Sequence, residues 1–184
     1  MSTRQFNLGN LTTFQFNVTA ASTPEKLTAK IRATSIAFNE NTVNRDTITD
    51  SASGFLVAGF AIGDQITVSG SASNDGTYTI DAVVAGTITI KSNEDLTAET
   101  AGETVKIVAP KSVPEGILVN IKAKKANSGD ITVGHSSAAA LNSGSGFVRL
   151  DANESIGLQV VYTDVIWLDT TVTGEGVEVW FEKN

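Results

Sequence analysis

The one histidine of the chain, His135, sits among hydroxyls in Gly134-His135-Ser136-Ser137, and a Ser-His pair is the first arrangement here that could do nucleophilic chemistry. Acyl transfer needs more than the pair. A nucleophile must be held against its base, a third group must orient that base, and amide donors must await the oxyanion. The stretch offers loop serines without the Gly-x-Ser-x-Gly elbow that presents a strained nucleophile. One histidine cannot assemble a transition-metal cluster, and with no cysteine in the chain thiolate ligands, thiol nucleophiles and disulfides are excluded together.

Paired carboxylates serve glycoside hydrolysis or calcium binding, and the tight acidic groupings are Asn93-Glu94-Asp95 and Asp75 with Asp81. Neither has the dense alternation of acids of an EF-hand loop, and both read as solvated turns. Ser69-Gly70-Ser71-Ala72-Ser73 and Ser143-Gly144-Ser145-Gly146 are rich in glycine but lack the lysine and the following helix of a phosphate loop. Trp167 and Trp180 have the flat apolar faces that bind sugars. Both sit inside strand patterns, where packing against a sandwich core or a neighbouring subunit is the commoner use. The expectation is a structural or binding protein rather than an enzyme, with no cofactor and no metal.

The elements that would position these residues are strands. Period-two alternation bounded by Gly, Asn, Asp and Ser runs through the chain, and helical periodicity is scarce. Apolar residues make up 41% and charged residues 18%, enough to bury a core and too little charge for a disordered tail or a coiled coil. No stretch approaches the apolar length of a membrane helix, and Met1 onward lacks the basic-then-apolar order of a signal peptide. The chain therefore reads as a soluble protein made in the cytoplasm with no membrane partner. A net charge of −7 opposes binding to a phosphate backbone, so nucleic acid is not an expected partner.

The charge is unevenly placed. Residues 33–109 hold ten acids and three bases, leaving ten of each elsewhere. That partition marks the middle segment as a separate, more solvated unit. Within it Ile66 and Val68, Tyr78 and Ile80, and Ile88 and Ile90 alternate with outward threonines. Asp75-Gly76 and Ala85-Gly86 supply tight turns, and further runs at 44–50 and 105–108 bring the count to about five strands. Gly54-Phe55-Leu56-Val57-Ala58-Gly59-Phe60 does not alternate; it reads as a loop or single helical turn whose phenylalanines plug a small core.

The flanking segments repeat the strand grammar. Phe14, Phe16 and Val18 alternate, as do Leu27, Ala29 and Ile31 within 26–32. The same pattern recurs in Ile117, Val119, Ile121 and Ala123, in Ile131 to Gly134, in Phe147 to Leu150, in Ile156, Leu158 and Val160, in Val165 to Asp169, and in Val177, Val179 and Phe181. Short strands at this spacing predict a sandwich or jelly roll. Ahead of them Met1 to Leu11 is weakly periodic, with Arg4, Phe6 and Leu8. Such an arm can clasp a neighbour if its contacts repay about 1–2 kcal/mol of ordering entropy per residue.

Three stretches of the flanking segments resemble a β-sandwich common among small virion proteins of tailed bacteriophages. They are Thr23-Pro24-Glu25-Lys26-Leu27-Thr28-Ala29, Val113-Pro114-Glu115-Gly116-Ile117-Leu118-Val119-Asn120-Ile121-Lys122-Ala123 and Asn127-Ser128-Gly129-Asp130-Ile131-Thr132-Val133-Gly134. The turn Leu150-Asp151-Ala152-Asn153-Glu154-Ser155 and the closing Gly174-Glu175-Gly176-Val177 extend the likeness. In that pattern the first two stretches are neighbours, whereas about 80 residues separate them here. The middle segment is itself similar to a small β-module of phage structural proteins.

The resemblance implies an all-β chain divided into an arm at 1–11, a discontinuous β-sandwich at 12–32 plus 112–184, and an inserted, small barrel-like β-domain at 33–111. It further implies a virion structural protein on the capsid surface, of the decoration or cement type. Its partners would be the major capsid protein and further copies of itself, with a trimer suited to such a site. Candidate assembly contacts are Arg4, Phe6, Leu8, Trp167 and Trp180. The rival expectation is a tail, fibre or host-attachment module whose tryptophans bind a glycan.

Overall fold

The computed structural model describes residues 13–141 and 148–183. The expected arm with Arg4, Phe6 and Leu8, and the glycine-rich run 143–146, lie outside the described residues. In chain order the strands are β1 (Phe14–Asn17), β2 (Glu25–Lys26), β3 (Ala29–Ala33), β4 (Ile36–Asn39), β5 (Thr47–Asp50), β6 (Gln65–Ser69), β7 (Gly76–Val84) and β8 (Thr87–Ile90). They continue with β9 (Val105–Ala109), β10 (Ile117–Ala123), β11 (Ile131–Gly134), β12 (Val148–Leu150), β13 (Ser155–Leu158), β14 (Trp167–Thr170) and β15 (Gly176–Lys183). One helical turn, α1 (Ser137–Ala140), and a 3₁₀ turn at Thr163–Val165 interrupt them. The chain is all-β.

Two four-stranded antiparallel sheets, ordered β1-β15-β10-β13 and β12-β11-β14-β2, share one apolar core. The alternation explains why. Phe14 and Phe16, Ile117, Val119 and Ile121, and Val177, Val179 and Phe181 point inward from the first sheet; Ile131, Val133, Leu150 and Leu168 answer them from the second. The outward positions of β10 and β15 hold Lys122, Glu178 and Glu182. This is a sandwich-like arrangement.

The remaining strands form a seven-stranded antiparallel sheet ordered β3-β9-β6-β7-β8-β5-β4, wrapped around a second core. β7 makes the corner, pairing with β6 through its first half and with β8 through its second. A register shift between Ile80 and Ala82 lets one long strand serve both neighbours. Ile48, Ile66, Ile88, Ile90 and Ile107 are fully buried here, each contributing roughly 1.5–3 kcal/mol by its removal from water. Phe55 and Phe60 fill the same core edge to face, their ring centroids 5.9 Å apart.

Two details depart from the sequence reading. The alternation at 26–32 is not one strand. Leu27 enters the sandwich core and Ala29 the second core, so β2 and β3 belong to different sheets, and β3 pairs with β9 although the charge count groups it with the outer segments. Alternation carries no information about which sheet a strand joins. Ile36–Asn39 is a further strand that the reading omits, its short run ending in polar residues; with it and β3 the middle sheet has seven strands instead of about five.

The two cores meet closely. Gly59 has a φ of +90°, which glycine adopts freely, and a Cβ placed there would lie 2.4 Å from Phe14 Cβ. The main chain of the turn after Phe55 thus lies directly against the first strand of the sandwich.

Candidate assembly surface

The two tryptophans face outward from opposite sheets. Trp180 stands between inward Val179 and Phe181 on β15, and Trp167 next to inward Leu168 on β14; both are half-buried and neither belongs to a core. They therefore cannot form one platform, but each is a candidate contact. Beside Trp180 lies a cavity of about 400 Å³ lined by Phe14, Leu56 and Val57. Leu56 and Val57 are 49% and 69% exposed, an apolar patch beside Trp180. Asn120 is Trp180's cross-strand partner. Its buried amide nitrogen has no hydrogen-bond partner among the described residues. A second apolar patch, Val161, Tyr162 and Val165, surrounds the turn that buries Thr163.

Several of the residues weighed for chemistry hold a backbone amide or a basic side chain. Ser136, beside the exposed His135, caps α1 by accepting the Ala139 amide at 3.2 Å. Asp75 accepts the amide and hydroxyl of Ser71, which hold its carboxyl below the usual range; Glu94 accepts the Thr79 amide at 2.7 Å; Asp81 pairs with Arg45. Asp46 and Asp50 accept amides from Asn41, Leu96, Ala52 and Gly54. Among the described residues no group of three or more His, Cys, Asp or Glu side chains could hold a metal ion, and no helix is long and apolar enough to cross a membrane.

Four of the five stretches of the resemblance, all but Thr23 to Ala29, meet at one end of the sandwich. Glu175 accepts the Ser128 and Gly129 amides and the hydroxyls of Ser128 and Thr170, while Asn127 exchanges two hydrogen bonds with the Gly176 backbone. Nearby, Asn153 at φ +71° donates its amide to Ala123, and Ala123 donates to Glu154. Burial pulls the Glu175 carboxyl upward, but the Ser128 and Gly129 donors outweigh it and hold the group below its ordinary value. A depressed carboxylate stabilises the fold above its unfolded pKa and loses that contribution as pH falls through the folded value. Glu175→Ala is expected to cost about 1–2 kcal/mol at neutral pH, allowing for screening at a partly exposed site. The difference from the parent should shrink towards acid pH in urea titrations; a pH-independent loss would assign the effect to packing.

Sequence reading missed two features. Asp130 is pushed up, first by a hydrogen bond to the Asp151 carboxyl, then by burial and by that neighbour's charge, while Arg149 at 3.2 Å opposes the rise. The two acids are 21 residues apart and no local pattern links them. The other is a buried ion pair between the two cores, Lys111 with Asp64. Lys111 also ties its amide to Thr163 Oγ1 at 3.0 Å, and Thr163 returns its amide to the Lys111 carbonyl at 2.9 Å.

Comparison of the chain with protein-family models, curated proteins and solved structures finds no match.

Proposed function

We propose that this chain is a structural protein of a tailed-bacteriophage virion, a capsid decoration or cement protein that binds the major capsid protein between capsomers as a homo-oligomer. The observation that carries the reading is the knot at one end of the sandwich. Four of the five stretches on which the virion resemblance rests are joined there by backbone-fixing hydrogen bonds and strand pairing into one sandwich framework. The outward Trp180, with Leu56 and Val57 beside it, gives this framework a surface suited to a neighbouring subunit. Many copies, each burying a modest interface, would reinforce the shell through multivalency.

The test is co-sedimentation of the purified chain with expanded capsids that lack it, followed by cryo-electron microscopy of the complex. Saturable binding with density at capsomer junctions is expected. Failure to bind expanded capsids overturns the reading, and density confined to the tail transfers the protein to the rival class of tail, fibre or attachment modules.

A further inference from the structure

Arg32 on β3 stands directly opposite Lys106 on β9, and Lys30 on the same face is close enough for its ammonium group to feel the charge of Lys106. Like charges opposed across strands destabilise a sheet. Residues 29–109 carry ten acids and five bases, yet three of those bases share this face. Lys30 is answered by Glu25, by Thr19 Oγ1 and by the Phe16 ring 4.1 Å away. Arg32 and Lys106 are exposed, and their side chains have no ion pair among the described residues.

The face forms one wall of a groove of about 1340 Å³ between the two cores. Gln15, Asn17, Thr19 and Thr23 line it from the sandwich, and Thr34 and Ser35 from the other side, so its walls are rich in hydroxyls and amides. It shares Glu25, Lys30 and Lys106 with a neighbouring second cavity of about 290 Å³, where Pro24 and Trp167 supply apolar surface. Lys26 stands over the Trp167 ring at 5.6 Å and pairs with Asp164 at 3.9 Å.

We propose that this groove is a binding site for an anionic polysaccharide. Arg32 and Lys106 would pair with its carboxylates or sulfates, the Asn, Gln, Thr and Ser side chains would exchange hydrogen bonds with its hydroxyls, and the indole of Trp167 would cover the apolar face of a ring. An acidic polypeptide would satisfy the cations but brings no hydroxyl-bearing rings to the remaining walls. The inference goes beyond a role on the shell and does not depend on it.

The experiment is calorimetric titration of the full chain with oligogalacturonate and with heparin oligosaccharides, beside neutral dextran and polyglutamate, at two salt concentrations. At least one anionic glycan is expected to bind, more weakly at high salt, and dextran not at all. Arg32→Glu with Lys106→Glu should weaken that binding by roughly tenfold or more, Trp167→Ala should weaken it several-fold, and Lys91→Glu, an exposed charge change outside the groove, should leave it unchanged. Circular dichroism confirms that each variant is folded. Failure of both anionic glycans to bind, or equal losses in the Lys91 variant, overturns the proposal. Polyglutamate binding of equal strength that ignores Trp167→Ala also overturns it, and assigns the groove to an acidic protein.

Discussion

Lys111→Met is expected to destabilise the protein by about 3–5 kcal/mol at neutral pH, whereas the double variant Lys111→Met with Asp64→Asn should be about as stable as the parent. The Lys111 side chain is 1% exposed and that of Asp64 7%. Removing the ammonium alone strands a carboxylate whose other contact is the Ala61 amide at 2.8 Å; asparagine can still accept that amide without a charge. Burial is the leading influence on both ions. It raises Asp64 and lowers Lys111, and their mutual attraction only partly offsets it. Each shift penalises the charged native form. The raised carboxyl favours the fold below its unfolded pKa and loses that benefit as pH rises through the folded value; the depressed ammonium contributes stability above its unfolded pKa and loses it as pH falls through the folded value. Between those limits both groups are charged and both pay for burial, so neutralising the pair together should cost little. The loss in Lys111→Met should also shrink as pH is lowered and Asp64 takes up a proton. Urea unfolding of the parent and both variants at neutral and mildly acidic pH measures this. A double variant as unstable as the single one would show that the ion pair itself holds the two cores together.

Phe55→Ala should cost a similar amount, about 3–5 kcal/mol, because the side chain is fully buried and its loss leaves a void that the curled sheet cannot collapse into. Phe60 would lose its edge-to-face partner at the same time. Phe55→Leu, which keeps most of the volume, should cost far less. The damage should also be local. Amides of β5 to β8, whose side chains line that core, should exchange faster in Phe55→Ala, while those of β10 and β15 keep their protection. A loss below about 1 kcal/mol would mean that the 54–60 turn covers its core without stabilising it.

Much of this architecture is written locally. Ile66 and Val68 alternate with polar neighbours and are buried; Asp75-Gly76 closes the hairpin between β6 and β7; Ala85-Gly86 joins β7 to β8. The non-alternating 54–60 stretch is a turn with both phenylalanines inside, as its pattern implied. Where the reading failed, two signals met in one short stretch. Leu27 and Ala29 obey a single alternation and yet enter different cores, because the chain crosses between sheets at Thr28 with no glycine or proline to mark the break. Val165 and Ile166 look like the start of a strand, but Val165 closes a 3₁₀ turn in which the Ile166 amide donates to the Thr163 carbonyl. The assembly candidates divide in the same way. Trp167 and Trp180 were legible as strand residues, but nothing local said that their strands belong to opposite sheets.

By itself, then, the sequence determined the all-β class and most of the turns, since period-two alternation and turn residues are properties of neighbouring positions. The tertiary structure alone decided that Lys111 meets Asp64 across 47 residues, that Arg32 faces Lys106 and that Glu175 closes the turn at Ser128. The physical reason is that alternation sets which side of a strand is buried. The neighbour it pairs with, and the register, are fixed by long-range contacts that many arrangements of the same local pattern would allow.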